Sequence, residues 1–125
     1  MSQRILVVDD SGLARRRARA ILESAGFEVI EAEDGMAALE SYFVEKPDLV
    51  LLDLVMKGMY GLDVLSKLRE IDPQVKVIVV SADVQTSSRQ MVQDGGASGF
   101  INKPASAEQV VLMVEQVLKG TSPWN

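Results

Sequence analysis

Five residues that could do chemistry together each come at the end of a short apolar run. Asp9 and Asp10 follow Ile5-Leu6-Val7-Val8, and Asp53 follows Leu49-Val50-Leu51-Leu52. Ser81 follows the run from Val75 to Val80, and Lys103 comes just after Gly99-Phe100-Ile101. Brought together, these groups make electrostatic sense only with a cation. Two unit charges ~4 Å apart repel by about 4 kcal/mol at an effective dielectric near 20. Three carboxylates against one ammonium leave two negative charges in excess, which an oxygen-seeking ion such as Mg²⁺ would neutralise. With that ion in place a carboxylate can attack a phosphorus centre, because metal and lysine balance the transferring oxygens while Ser81 hydrogen-bonds one of them. Carboxylates that form acyl phosphates are a known class of nucleophile. Each residue also has a plainer role: a strand-end aspartate as a cap or turn, Ser81 as a loop cap, Lys103 as a surface lysine. Convergence of all five is what favours a site.

They converge only if the apolar runs are strands of one parallel sheet. Ile5–Val8 and Leu49–Leu52 are apolar throughout, as in strands buried on both faces. Helical spacing separates the runs. Ala14, Ala18, Ile21, Leu22 and Ala25 share a helical stripe, with Gly26 as a stop. Phe27 to Ala32 reads as a more polar strand near an edge, offering only Glu33 and Asp34 at its end. A second helix opens at Asp34-Gly35, carries Leu39, Tyr42 and Phe43 on its apolar side, and closes at Lys46-Pro47. A loop with Gly58 and Gly61 leads to a third, striped by Val64, Leu65, Leu68 and Ile71 and ended by Asp72-Pro73. Residues 86–94 are polar except Met91 and Val92, which predicts the weakest helix. Ser106 caps the last one, which bears Val110, Val111, Val114, Val117 and Leu118 before Gly120. Five strands alternating with five helices predict an α/β fold, a sheet covered on both faces through right-handed crossovers.

Composition narrows the chemistry. The chain has 125 residues, enough for one domain, and the expected division is a domain over 1–120 with a short tail at 121–125. With no cysteine and no histidine, disulfides, thiolate or imidazole metal sites and histidine catalysis are excluded. No apolar run approaches the ~20 residues of a spanning helix, and no signal-peptide pattern precedes Ile5, so a cytoplasmic location without membrane insertion is expected. A net charge of −5 argues against direct nucleic-acid binding. Arg15, Arg16, Arg17 and Arg19 spread around a helix and read as a solvated surface.

Four segments carry a resemblance: "ILVVDD" from Ile5 to Asp10, "LVLLDLVMKGMYG" from Leu49 to Gly61, "VIVVSA" from Val77 to Ala82 and "GFINKP" from Gly99 to Pro104. In order and spacing they resemble the receiver domains of two-component response regulators. The resemblance implies a flavodoxin-like, doubly wound sheet of strand order 2-1-3-4-5, for which a chemotaxis member of this family is itself a standard illustration. It implies that Asp53 accepts a phosphoryl group, and that Asp10, Asp53 and the Val55 carbonyl ligate Mg²⁺, with Asp9 acting through bound water. Ser81 and Lys103 would contact the phosphoryl group. Phe100 matches the family's aromatic switch position, partnering Ser81, and Lys103-Pro104 the position of its cis peptide bond. Val55 and Asp83 occupy positions that tune phosphoryl lifetime. Lys57 stands where proline is usual, and Ser81 replaces the commoner threonine. A histidine kinase or phosphotransfer protein would be the phosphodonor. The implied output is a protein target, or a second receiver, on the face formed by the fourth helix, fifth strand and fifth helix. Leu112 falls on the polar side of the fifth helix, among Glu108, Glu115, Gln116 and Lys119, and is a candidate contact there.

Three other readings share parts of this pattern. An aspartate-nucleophile phosphatase of the haloacid-dehalogenase type needs an Asp-x-Asp pattern where this chain has Asp9-Asp10-Ser11-Gly12. A flavodoxin-like flavin carrier needs a neutral phosphate cradle after the first strand, which Asp9 and Asp10 would repel. A receiver-like binding module without phosphotransfer would not require all five polar positions, and all five are present. The reading carried forward is a phosphorylation switch rather than a metabolic enzyme, freestanding or part of a longer regulator.

Overall fold

The computed structural model describes residues 2–56, 58–82 and 86–124. Five strands, β1 (Arg4–Val8), β2 (Glu28–Ala32), β3 (Leu49–Asp53), β4 (Val77–Ser81) and β5 (Gly99–Asn102), alternate with five helices. The helices are α1 (Gly12–Ser24), α2 (Gly35–Glu45), α3 (Gly61–Ile71), α4 (Thr86–Asp94) and α5 (Ala107–Leu118). All pairings are parallel and the order is β2-β1-β3-β4-β5, as the resemblance implied. The more polar β2 is an edge strand. Alternate residues of the central strands face opposite sides, so two cores form. Leu6, Val8, Val50, Leu52, Val77 and Val79 pack with Ala38, Tyr42, Val64, Leu65, Leu68 and Val92 of α2, α3 and α4. Ile5, Val7, Leu49, Leu51 and Ile78 pack with Leu22 of α1 and Val110, Val114 and Val117 of α5.

Helix starts follow the local sequence. Ser11, Asp34 and Ser106 side chains each accept an N–H from the first turn of α1, α2 and α5. The last is a full capping box with Gln109, worth about 1 kcal/mol.

Several expectations need correction. Phe43 is 69% exposed rather than core-facing. Gly35, Ala38 and Tyr42 supply the buried stripe of α2, and Phe43 lies ~100° further round from Tyr42. Ile71 is also exposed, because it is the last residue of α3, where packing gives way to the Asp72-Pro73 turn. Ala25 is the C-cap of α1 and lies exposed rather than within its stripe. The arginines of α1 are not simply solvated. Arg15 and Arg19 both pair with Glu31 on β2, at 3.1 and 2.6 Å, and Arg17 donates to the Ala105 carbonyl at 3.1 Å. Arg16 and Arg17 are exposed as expected, Arg17 while bonded to that carbonyl. Sequence spacing on α1 says nothing of Glu31, which reaches the helix from another element.

Candidate functional site

The parallel register brings the strand ends level. Asp53 closes β3 opposite Val80, and Ser81 closes β4 opposite Asn102. Because Ile5, Val7 and Asp9 alternate to one side, as do Leu49, Leu51 and Asp53, both aspartates project towards the α1–α5 side of the sheet. Asp9 is buried, Asp53 half-buried and Asp10 exposed. One carboxylate oxygen from each lies within 4.8 Å of the other two, a grouping that could hold one small cation.

Lys103 reaches this cluster across the sheet. Its Nζ donates to Asp9 Oδ2 at 3.3 Å and to Asp53 Oδ1 at 3.4 Å. Its backbone N–H donates to the Ser81 carbonyl at 2.8 Å, fastening the end of β5 to that of β4. The Lys103–Pro104 peptide is cis. Ser81 is 2% exposed and sits one strand away from Asp53. Asp9 is held by three further bonds: its Oδ1 accepts from the Ser11 N–H at 2.9 Å, its carbonyl accepts from Arg15 Nη1 at 2.6 Å, and its N–H donates to the Ala32 carbonyl.

The electrostatics match the donor set. Burial is the main cause that raises the Asp53 carboxyl above its ordinary range. Lys103 works against that rise, and Asp9 and Asp10 add to it. Burial opposes the charge on Lys103, yet the attraction of Asp53 and then of Asp9 outweighs it and raises the ammonium. A buried aspartate with two further carboxylates beside it, facing a single lysine, makes a pocket short of positive charge.

The remaining expected residues fall round this centre. Phe100 is half-buried against the α2–α4 core, and Val55 is 64% exposed just past Asp53. Leu112 is 54% exposed on α5. Lys57 and Asp83 lie outside the described residues. Two features escaped the sequence reading. Gly61 lies so close to the strand end that a Cβ there would stand 2.7 Å from the Asp53 carbonyl oxygen and 2.8 Å from Leu54 Cα. Its N–H donates to the Leu54 carbonyl at 2.7 Å, so α3 starts against the backbone that carries Asp53. A loop glycine was the only signal. The other feature is a cavity of about 500 Å³ between α1 and α5, which opens beside Asp53 and Lys103 and is lined by Leu13, Ala18, Ile21 and Pro104.

The profile of the response regulator receiver domain matches residues 5–115. The chain belongs to that family. This receiver is 40% identical over 119 residues to the chemotaxis protein CheY of Bacillus subtilis (strain 168), covering 94% of this chain and 99% of that protein. Among solved structures, the CheY-like receiver domain protein from Methanospirillum hungatei JF-1 superposes with a TM-score of 0.91 at 27% identity, over 96% of each chain. CheY in the CheX–CheY–BeF₃–Mg²⁺ complex from Borrelia burgdorferi superposes with a TM-score of 0.88 at 33% identity, over 92% of this receiver and 88% of that chain. The receiver is thus a CheY-like domain of two-component response regulators. Among its described residues, no helix is long and apolar enough to cross a membrane.

Proposed function

We propose that the receiver is a switch that takes a phosphoryl group onto Asp53 from a histidine kinase or phosphotransfer protein in a Mg²⁺-dependent reaction. The observation that carries this reading is the meeting of Asp9, Asp10 and Asp53 within 4.8 Å, with Lys103 Nζ 3.4 Å from Asp53. Asp10, Asp53 and the Val55 carbonyl would hold Mg²⁺, with Asp9 reaching it through water. When bound, the ion would neutralise the excess carboxylate charge and the oxygens of the incoming phosphoryl group.

The chain's own residues do the rest. Asp53 offers an oxygen to phosphorus; burial raises its carboxyl above the ordinary range, and Lys103, which faces it, favours the charged form. Lys103 remains protonated and supplies a fixed charge to one transferring oxygen. Asp9, anchored by Ser11, Arg15 and Lys103, keeps that ammonium in place. Ser81 would bond another phosphoryl oxygen and draw the end of β4 inward, with Phe100 as the second switch residue. The altered face would be α4–β5–α5, with Leu112 as an anchor for a protein target or a second receiver. Val55 offers no polar group to orient a hydrolytic water, so the acyl phosphate should persist, with Asp83 as the other tuning position.

The test is labelling with a small acyl phosphate and Mg²⁺, read by intact mass and by acid lability. One phosphoryl group is expected on the wild type and none on Asp53→Asn. EDTA should abolish the label. Normal labelling of Asp53→Asn would overturn the assignment.

A further inference from the structure

The segment after α5 does not trail into solvent. Thr121 N–H donates to the Gln116 carbonyl at 3.0 Å, turning the chain back beneath its own helix. Pro123 then passes β5 at its first residue. A Cβ at Gly99 would stand 3.2 Å from Pro123 Cγ and 3.0 Å from Met113 Sδ, so the bare glycine backbone is what lets the segment lie there. Trp124 is half-buried and packs against the α2–α4 core, whereas α5 packs against the other core. The segment therefore crosses from one face of the sheet to the other past the start of β5. Its indole Nε1 donates to the Ala97 carbonyl at 2.9 Å, and Arg89 of α4 lies over its ring, 5.4 Å from the centroid.

We propose that residues 121–124 form a strap that holds α4 in the arrangement seen here and releases it when Asp53 is phosphorylated. This inference rests on Asp53 being the phospho-acceptor. Few of the described residues of helix α4 are buried. Among its described residues only Ser88 and Val92 are buried, and Gln90 bonds Asp94 within the same helix. The strap itself is releasable, because it does not lie flush. An open depression of about 360 Å³ borders it, lined by Arg69, Lys76, Ala97, Ser122 and Trp124. The Arg69 side chain donates there to the Pro73 and Gly96 carbonyls at a long 3.4 and 3.5 Å. A phosphoryl group that draws Ser81 inward moves the end of β4, to which β5 is bonded through the Lys103 N–H. Arg89 then shifts relative to Ala97, and the ring that bridges the two loses one of its contacts. By linkage, whatever loosens the strap favours the phosphorylated arrangement.

Trp124 is the only tryptophan of the chain, so its fluorescence reports the strap directly. Beryllofluoride with Mg²⁺, as a phosphoryl stand-in, should shift the wild-type emission to the red and raise its quenching by acrylamide. Asp53→Asn should show neither change. Arg89→Ala, an exposed position, should begin with the red-shifted spectrum. It should also bind beryllofluoride about twofold to fivefold more tightly by calorimetry, the scale of a lost exposed cation–π contact in a two-state coupling. If a small acyl phosphate labels Asp53 while the Trp124 spectrum and the Arg89→Ala affinity stay unchanged, the strap is overturned and the phospho-acceptor reading stands. If Asp53 takes no label at all, both fall.

Discussion

Removing the charge of the proposed acceptor should stabilise the protein. Asp53 shares its site with Asp9 and Asp10, with carboxylate oxygens no more than 4.8 Å apart. At an effective dielectric near 20, each repulsion at that distance costs about 3.5 kcal/mol. The Lys103 ammonium, 3.4 Å from Asp53, offsets about 5 kcal/mol on the same scale. Asp10 is exposed and a third of Lys103 is in water, which weakens one repulsion and the attraction alike. The balance against ionised Asp53 is about 1–2 kcal/mol, with burial acting in the same direction. Asp53→Asn keeps the shape, and leaves Lys103 paired with Asp9. In Mg²⁺-free buffer at pH 7 it should therefore raise the melting temperature by about 3–8 °C. The pH dependence has a fixed sign. A carboxyl raised above its unfolded value penalises the fold while ionised, and the penalty is relieved as pH falls through the raised folded value. The gap between variant and wild type should therefore close on acidification. Thermal denaturation followed by circular dichroism at pH 7 and at about pH 4 measures both effects. A variant no more stable than wild type at pH 7, or a gap that widens in acid, would refute the electrostatic account of the site.

Other expectations are more local. Mg²⁺ should raise the wild-type melting temperature in proportion to ln(1 + [Mg²⁺]/Kd), and much less in Asp53→Asn, which a metal titration read by scanning calorimetry would check. Gly61→Ala should cost about 1–3 kcal/mol in a urea melt, because its Cβ meets the Asp53 and Leu54 backbone rather than a side chain that can move. Val55→Asn should speed loss of the acyl phosphate, measured as decay of the phosphorylated mass after the donor is removed. An unchanged rate would remove Val55 from the lifetime account. Leu112→Ser should weaken phosphorylation-dependent association in sedimentation or target-binding assays, and equal affinities would make Leu112 an ordinary exposed leucine.

The strands and most helix starts were legible because their causes are local. An apolar β-branched run such as Ile5–Val8 is committed to a central strand by its own side chains, and Ser106 with Gln109 caps α5 by contacts three residues apart. Strand ends and their polar residues follow from those runs, so Asp9, Asp10, Asp53, Ser81 and Lys103 stood out as a set before any contact was visible. Their being a set, however, depends on strand order. Lys103 meets an aspartate 94 residues away and another 50 residues away, and the order of strands that allows this came from resemblance rather than from periodicity. Tertiary packing alone decided the rest. A helical wheel gives Tyr42 and Phe43 similar apolar character, and only the neighbouring sheet selects Tyr42 for the core, where its hydroxyl donates to Asp72 at the C-terminal end of α3. Arg15 and Arg19 became bound groups when Glu31 arrived from β2, and Gly61 gained its packing role because the Asp53 backbone came within reach. Trp124 had no local pattern around it at all. Its place against Ala97 and Arg89 exists because α4, β5 and the end of α5 meet at one corner, and no sequence window holds all three.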